Sequence, residues 1–418
     1  MSRHQSDVLI LGGGAIGLAC ALYLLRAGRS VTVLDRGQVG AATSHGNCGT
    51  ITPSHALPLA APGVLAQALR WVFRKDAPLR IAPRPDFALF EWLLQFARRC
   101  NAAQCRRVTA VKAPLLIRAR AELEALVREA KLDCEFQAQG TLNVYRDARA
   151  FEHSRELALL PVEFGLPVEM LDGAACRARE PALNDSVVGG YFHAGDAQLR
   201  PERYCAALAR AVAALGGEIS ESTTITGFRT SGARIESVVT DRGEFSGRDV
   251  VFALGAWSPQ AARQLDLRIP IQPGKGYSIT YTRPLHPPRI PLSLKERAVC
   301  VTAWESGYRL GSTMEFAGYD ATLNRTRLDA LKRGAAEYLT EPEGPAVVEE
   351  WYGWRPMTWD DLPILGRAAT LQNLVLATGH GMLGITMSAI TGKLVSDLIC
   401  AAPPTLDLAP FSPARFNI

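Results

Sequence analysis

Residues 7–36, DVLILGGGAIGLACALYLLRAGRSVTVLDR, leave the chain few choices of fold. Asp7–Leu11 alternates too little for a half-exposed strand and reads as a buried parallel strand. Gly12, Gly14 and Gly17 follow as G-x-G-x-x-G, Ile16–Ala27 is apolar at helical spacing, and Gly28 stands where such a helix stops. Ser30–Leu34 reads as a second strand, closed by Asp35 and Arg36. Strand, glycine turn, helix, strand and acid in that order form a βαβ unit that binds a dinucleotide. Gly12 makes the tight turn, Gly14 lets a pyrophosphate approach the backbone, and Gly17 lets the helix lie close to the strand. The helix N-terminus offers free N–H groups and a positive dipole end to the phosphates. Asp35 accepts from ribose hydroxyls and disfavours a 2′-phosphate. Val8–Leu25 is also an unbroken apolar run near the length of a membrane span. Glycines at nucleotide spacing and an immediate second strand argue against a transmembrane helix or a signal peptide.

A chain of 418 residues has room for two domains. Its 9 cysteines are scattered and none forms C-x-x-C, which points to reduced thiols in a cytoplasmic protein. The 7 histidines show no metal-ligand spacing, so no metal is expected. The net charge of +5 is mild but concentrated. Between Gly63 and Arg107 stand Arg70, Arg74, Lys75, Arg80, Arg84, Arg98, Arg99, Arg106 and Arg107, against Asp76, Asp86 and Glu91. Charge confined to one segment gives no case for nucleic acid. Within that segment, Gly63–Phe73 and Phe87–Cys100 read as amphipathic helices with basic edges. Two readings stand: docking to the anionic inner membrane surface, and a helical cap over the active site.

Three further stretches carry chemistry. Gln38–Ile51, QVGAATSHGNCGTI, is a small, polar loop after the second strand. In a flavoprotein it runs beneath the ribityl chain and ring, with Ser44, Asn47 and the backbone at Gly49 as hydrogen-bonding groups. Near the C-terminus, NLVLATGHGMLGITMSAITGKLVSDLI has a buried strand, a turn at Gly379, His380, Gly381, Leu383 and Gly384, and a helix. This aims a second helix N-terminus at the cofactor, where a flavin gathers negative charge on reduction. A nicotinamide enzyme has no need of it, so FAD is favoured over NAD. A strand ending in A-L-G-A at Gly255 adds backbone beside the same cofactor. The third stretch is WYGWRPMTWDDLPILG, where Arg355 stands among Trp351, Tyr352, Trp354 and Trp359. An arginine fork in an aromatic box suits a substrate carboxylate; an arginine paired with Asp360 or Asp361 is the alternative. Tyr277, after Lys275-Gly276, either adds a hydroxyl to that carboxylate or is a core tyrosine.

Strands, helices and long antiparallel-looking runs alternate between pieces of nucleotide-binding pattern, so two domains interleaved in sequence are expected. Residues 1–58, 176–270 and 345–418 are assigned to cofactor binding. Residues 59–175 and 271–344 are assigned to the substrate domain, with the basic helical insertion at 63–107.

Nearly end to end, these motifs resemble the FAD-dependent bacterial D-amino acid dehydrogenases, within the D-amino acid oxidase-like flavoproteins. The resemblance rests on LGGGAIGLACALYL, TSHGNCGTITPSHALPLAAPGV, DAPLRI, GDAQ, PGKGYSIT, GWRPMTWDDLPILG and ATGHGMLGITMS. It implies an α/β fold, a glutathione-reductase-like Rossmann FAD domain interleaved with an α+β substrate domain built on a mixed sheet. By resemblance FAD lies, without a covalent bond, on Gly12, Gly14, Ile16, Gly17, Asp35, Arg36, Ser44, Asn47, Gly49, Ile225, Gly255, Gly379, His380, Gly381, Leu383 and Gly384. Arg355 and Tyr277 would hold the substrate carboxylate, and His55 is a candidate for tuning amine protonation. The implied reaction is oxidative deamination of D-amino acids to 2-oxo acids by hydride transfer to flavin N5. Electrons then pass to quinone, with the protein peripheral on the cytoplasmic membrane. The chain departs from the family pattern at Ser54-His55, Trp354 and Trp359. A flat ring packs well against tryptophan, so a cyclic D-imino acid such as D-proline or hydroxy-D-proline is an expected substrate. The rival readings are a sarcosine- or glycine-type oxidase using oxygen, and the flavin subunit of a hetero-oligomeric dehydrogenase.

Overall fold

The computed structural model describes residues 3–72 and 77–418. Arg74 and Lys75 of the basic segment, with Phe73 and Asp76, lie outside the described residues.

Two large sheets organise the molecule. The first has 8 strands, ordered Ile225–Ser231, Arg234–Thr240, Gly243–Phe252, Arg3–Leu11, Val31–Leu34 and Glu218–Ser220, with Leu374–Thr378 and Ile364–Arg367 branching from Gly243–Phe252. Arg3–Leu11 runs parallel to both Val31–Leu34 and Gly243–Phe252, as its apolar character demands. Helix Ala15–Arg26 crosses between the first two strands, and helix Gly384–Ile399 packs across it. Close crossing needs Gly392, because a Cβ there would lie 2.7 Å from the Ala19 backbone. The 28-residue helix Ala102–Glu129 adds Leu115, Leu116, Leu123 and Leu126 to the same core.

The second sheet has 9 strands, ordered Val347–Thr358, Ile271–Tyr281, Gly307–Phe316, Val299–Trp304, Leu292–Leu294, Thr141–Tyr145, Gly189–His193 and Glu169–Asp172, with Leu79–Ile81 beside Gly307–Phe316. It is mixed: most neighbours are antiparallel, while Leu292–Leu294 runs parallel to Thr141–Tyr145. Helix Arg325–Ala336 covers one face with Leu328, Leu331 and Ala335. The other face meets the loop that follows the first βαβ unit.

The interleaving expected from sequence is present, but three assigned boundaries shift. Val347–Thr358, given to the cofactor domain, pairs along its length with Ile271–Tyr281 and belongs to the substrate sheet. Gly189–His193 pairs with Thr141–Tyr145 and belongs there too. Helix Ala102–Glu129, given to the substrate domain, buries its apolar face in the core of the cofactor domain. In each case hydrogen-bonded register or the direction of an apolar face decides the membership.

Of the two helices in the basic insertion, Phe87–Arg99 is capped by Asp86, whose carboxylate accepts from Leu89 N at 3.0 Å. Its inner face lays Leu89 and Trp92 on Phe316 and Met357, and Trp92 Nε1 donates to Met357 O at 3.0 Å. The helix therefore caps the end of the strand that carries Arg355. Its outer face leaves Phe87, Phe90 and Leu94 exposed at 90%, 68% and 42%.

Candidate active site

The glycine turn is built as the fingerprint requires. Gly12 has φ +101°, and a Cβ there would lie 2.5 Å from Ala253 O. A Cβ on Gly17 would lie 1.9 Å from Gly12 O, so helix and turn can meet only over glycine. Asp35 accepts from Gly13 N at 2.8 Å and Gly37 N at 2.9 Å. Asp35 O accepts from Thr223 N at 2.8 Å, which brings the start of strand Ile225–Ser231 beside it. Ser44 Oγ accepts from Ala15 N at 3.1 Å, joining the following loop to the helix N-terminus. Asn47 folds that loop, donating to Ser44 O at 2.9 Å and accepting from Gly49 N at 2.7 Å. Gly49 has φ +68° and sits against Leu199 O, with no room for a Cβ.

At the C-terminal turn, Gly379 and Gly381 both have positive φ, and helix Gly384–Ile399 begins after Leu383 with no side-chain cap. Its first N–H groups are thus left by the side chains for a ligand. His380 turns inward, its Nε2 3.0 Å from Thr391 Oγ1, and burial pushes its pKa down to about 3. It can serve a cofactor through its backbone, not as a charged ring. Gly255, φ +53°, is fixed by Thr378 Oγ1 donating to its carbonyl at 3.2 Å. Arg36 is exposed, with its guanidinium 4.1 Å from the Trp257 ring centroid. Ile16 lies in the first turn of helix Ala15–Arg26 and packs partly against the core. Two uncapped or glycine-led helix starts and a Cβ-free cradle between them fit the pyrophosphate and ring of FAD.

Facing this cradle is one side of the nine-stranded sheet. Strand register decides which side chains reach it. Gly274 is opposite Arg355, Gly276 opposite Gly353 and Ser278 opposite Trp351, so these share a face. A Cβ on Gly276 would lie 2.4 Å from Arg355 Nη2, which places the guanidinium directly over that glycine. Ser312 and Thr313 have φ of +111° and +52° at a bulge, where Lys275 pairs with Glu315 but Tyr277 pairs with Ser312. The bulge turns Thr313 O to Arg355, whose Nη1 donates to it at 2.6 Å. Burial disfavours the guanidinium's charge, and among the described residues no carboxylate pairs with it. Asp361 is taken by Lys112 at 2.6 Å and Asp360 by Arg415 at 2.9 Å. A half-buried cation without a counter-charge favours the arrival of an anion.

Two expectations change here. Tyr277 is opposite Tyr352, on the far face of the sheet from Arg355. Its hydroxyl donates to Glu315 Oε2 at 2.5 Å, and Glu315 is in turn held by Arg80 at 2.5 Å. The structure therefore does not bring Tyr277 to the carboxylate site. The aromatic box is split by the same alternation. Trp351 is on the Arg355 face, against Gly46, while Tyr352 and Trp354 meet edge to face behind it at 5.3 Å, with Trp257 and Tyr319 against Trp354. Trp359 has left the strand and meets Phe416.

His55 also departs from its expected role. Its Nδ1 lies 3.3 Å from Thr52 Oγ1, and burial with the nearby charges of Lys295, His193 and Lys112 pushes its pKa down to about 3. A ring this reluctant to take a proton does not tune an amine near neutrality.

Residues that the motifs did not single out complete the face. Cys48 Sγ lies over Gly311, 4.0 Å from Cys300 O. The two thiols share a hydrogen bond that holds Cys48 below and Cys300 above their ordinary values, with Arg355 beside both. Buried Arg309 donates to Asn47 O at 2.8 Å, His45 O at 3.3 Å and Glu202 at 3.1 Å, tying the cofactor loop to the sheet. The one signal for Cys48 was its place between Asn47 and Gly49; Arg309 offered none.

An FAD-binding cradle set against a sheet with an anion-seeking arginine defines a flavin-dependent oxidoreductase. Residues 7–398 match the family model described as FAD dependent oxidoreductase, abbreviated DAO. The D-amino acid dehydrogenase of Granulibacter bethesdensis is 34% identical over 415 residues, covering 98% of this chain and 99% of that protein. That of Paramagnetospirillum magneticum is 35% identical over 417 residues, with the same 98% and 99% coverage. The structure of glycine oxidase from Geobacillus kaustophilus superposes with a TM-score of 0.80 at 24% identity, covering 98% of each chain. The chain belongs to the family of FAD-dependent oxidoreductases that includes the D-amino acid dehydrogenases. It is an enzyme, its cofactor is FAD, and it acts oxidatively on amino-acid-type substrates. Among the described residues no helix is long and apolar enough to cross a membrane.

Proposed function

We propose that the protein oxidises D-amino acids, cyclic D-imino acids such as D-proline and hydroxy-D-proline among them, to imines that water opens to 2-oxo acids. The observation that carries this reading is Arg355, a half-buried guanidinium over a glycine floor with no carboxylate partner among the described residues. It binds the substrate carboxylate through the N–H groups that Thr313 leaves free. That contact sets where Cα lies, and positioning of this kind supplies most of the catalysis. The glycine turns at Gly12–Gly17 and Gly379–Gly384 would hold FAD, without a covalent link, and it would supply a hydride acceptor for the substrate Cα. His55, with its pKa pushed down to about 3 by burial, is too weak a base to take the amine's proton, and the proposal has the amine enter deprotonated. Trp351 walls the carboxylate end on the Arg355 face. The D configuration comes from the relatives, because this fold also serves glycine oxidase.

Quinone is the proposed acceptor, reached at an anionic membrane surface. Phe87, Phe90 and Leu94 form an exposed stripe at i, i+3 and i+7, flanked by Arg98 and Arg99, in support of peripheral docking. Co-sedimentation with anionic vesicles but not neutral ones, lost in a Phe87→Ser/Phe90→Ser variant, is the expected outcome. Equal sedimentation of both proteins would remove the docking reading.

The decisive experiment is anaerobic flavin bleaching at about 450 nm with D- and L-amino acids, both proline series and sarcosine. Bleaching by D-forms alone supports the proposal. Bleaching by L-forms or sarcosine alone, or by nothing, would overturn it. Rapid reoxidation by oxygen in place of a quinone would bring the oxidase reading forward.

A further inference from the structure

Cys48 stands in the cofactor loop between Asn47 and Gly49, and Cys300 stands on strand Val299–Trp304 of the nine-stranded sheet. Register opposes Cys300 to Gly311, so both look out from one face. Gly311 is in turn opposite Ser278, and Ser278 opposite Trp351, which makes it the Arg355 face. A Cβ on Gly311 would lie 2.6 Å from Cys48 Sγ. The Cys48 sulfur therefore fills the room that a side chain at position 311 would take. That room belongs to the direct cross-strand neighbour of Cys300, and such neighbours are in contact. The bare Gly311 thus seats one thiol against the other across 252 residues of sequence.

The surroundings favour reaction. Cys20, Cys105, Cys134, Cys176 and Cys205 are buried, whereas Cys48 and Cys300 are partly exposed, beside Arg355. A path that admits a carboxylate to Arg355 admits the smaller hydrogen peroxide. The hydrogen bond from Cys300 holds Cys48 below its ordinary value against the effect of burial, and the charges of Arg309 and Arg355 add to it. Partial exposure beside cations is the setting of a reactive thiolate. Cys300 is held above its ordinary value by the same hydrogen bond and by burial, so the two sulfurs differ in role: Cys48 attacks and Cys300 resolves. A reduced flavin that meets oxygen releases hydrogen peroxide, so the oxidant arises next to this face.

We propose that Cys48 and Cys300 are a peroxide-oxidised pair whose disulfide ties the cofactor loop to the substrate sheet and slows flavin reduction by substrate. The Cys48 sulfur attacks one peroxide oxygen and becomes a sulfenic acid: an S–O bond forms, the O–O bond breaks, and the leaving hydroxide takes the thiol proton as water. The Cys300 sulfur then attacks the Cys48 sulfur. The S–S bond forms, the S–O bond breaks, and the hydroxyl leaves with the Cys300 proton as a second water. The two thiols have lost two electrons and two protons, and the peroxide has gained them. A covalent link in place of a hydrogen bond pulls the loop at Cys48 toward the sheet. It strains the neighbouring segment that Arg309 holds through Asn47 O at 2.8 Å, and shifts it relative to Arg355.

The test treats the holoenzyme with hydrogen peroxide, blocks free thiols with N-ethylmaleimide and maps the peptides by mass. In the wild type a peptide pair joined through Cys48 and Cys300 is expected, separated again by dithiothreitol. Anaerobic flavin reduction by a D-amino acid, each protein compared with its own untreated rate, is expected to fall at least about 10-fold on treatment. Dithiothreitol is expected to restore it. Cys300→Ser is expected to give no joined peptide and to leave Cys48 as a sulfenic acid that dimedone traps. Gly311→Ala, whose methyl takes the room of Cys48 Sγ, is expected to join the pair far more slowly. No joined peptide in the wild type, or a joined peptide with an unchanged flavin-reduction rate, would overturn the proposal. An equal loss of rate in a Cys48→Ser/Cys300→Ser variant would overturn it too. If no D-amino acid reduces the untreated flavin, the substrate reading is what fails, and the peptide map still decides the thiol pair.

Discussion

Gly276→Ala tests the carboxylate anchor without removing its charge. The added Cβ would lie 2.4 Å from Arg355 Nη2, 2.5 Å from Cζ and 2.7 Å from Nη1. Ordinary contact needs about 3.5 Å, so the guanidinium must retreat by about 1 Å. The Nη1 bond to Thr313 O, 2.6 Å in the native protein, is then stretched or broken. A misplacement of about 1 Å at a positioning group costs about 100-fold in rate, equivalent to about 2.7 kcal/mol. The obstructing atoms are the end of a flexible side chain, and the Gly276 backbone carries no positive φ, so the fold tolerates the methyl. Gly274→Ala is the matched control: it sits two residues away on the same face but meets Met357 and Met314. Stopped-flow flavin reduction, with flavin content and thermal midpoint measured on the same samples, separates the two. The expected result is a fall of about 100-fold in kcat/KM for Gly276→Ala with full flavin loading, and a clearly smaller fall for Gly274→Ala. Native reduction kinetics in Gly276→Ala would refute the placement of the substrate carboxylate at Arg355.

Tyr277→Phe is expected to leave kcat/KM within a few-fold but to lower stability by about 1–3 kcal/mol, because it strips a donor from buried Glu315; a large activity loss at native stability would return the tyrosine to the substrate site. Gly17→Ala brings a Cβ to 1.9 Å from Gly12 O and is expected to give protein without bound flavin, read from its visible absorbance. His55 and His193 are held neutral down to about pH 3 and 4, while an unfolded chain protonates them near 6.5. Their folded pKa values are depressed, so the unfolded state binds protons first and stability is lost as pH falls below 6.5. Asp196 opposes this in part, its pKa being pushed up to about 6 by burial. Denaturant midpoints at pH 7 and pH 5 are expected to converge in a His55→Gln/His193→Gln variant; an unchanged difference would contradict the assignment.

The cofactor half of the molecule was legible because its constraints are local. Gly12, Gly14 and Gly17 act within six residues of one another, and the contacts that forbid a Cβ lie in or beside the same βαβ unit. The substrate half was less so, since a sheet face is assembled from distant segments. Arg355 stands out in its motif, but the motif does not reveal that Gly274, rather than Tyr277, is its strand partner. Trp351, Tyr352 and Trp354 look like one box in sequence and fall on two faces once the strand alternates.

The same register explains why P-G-K-G-Y-S-I-T has the composition it has. Gly274 and Gly276 point to the cofactor side, where a side chain would displace Met357 or Arg355. A strand with an empty face cannot hold itself in place from that side, and glycine weakens it further. Its anchorage has to come from behind. There Tyr277, Ile279 and Tyr281 enter a core with Leu292, Val301, Leu310 and Leu331. Lys275 sets its ammonium between the Tyr277 and Tyr352 rings, at 5.3 and 4.7 Å, and donates to Thr322 O. Tyr277 adds the bond to Glu315 that Arg80 completes. On the proposed reading of Arg355 as the carboxylate anchor, Tyr277 would act through the rigidity of the glycine floor under Arg355 and not through the substrate. The alternation of glycine with large, hydrogen-bonded residues is therefore one device: open room on one face of the strand, and the fixed geometry that room requires on the other.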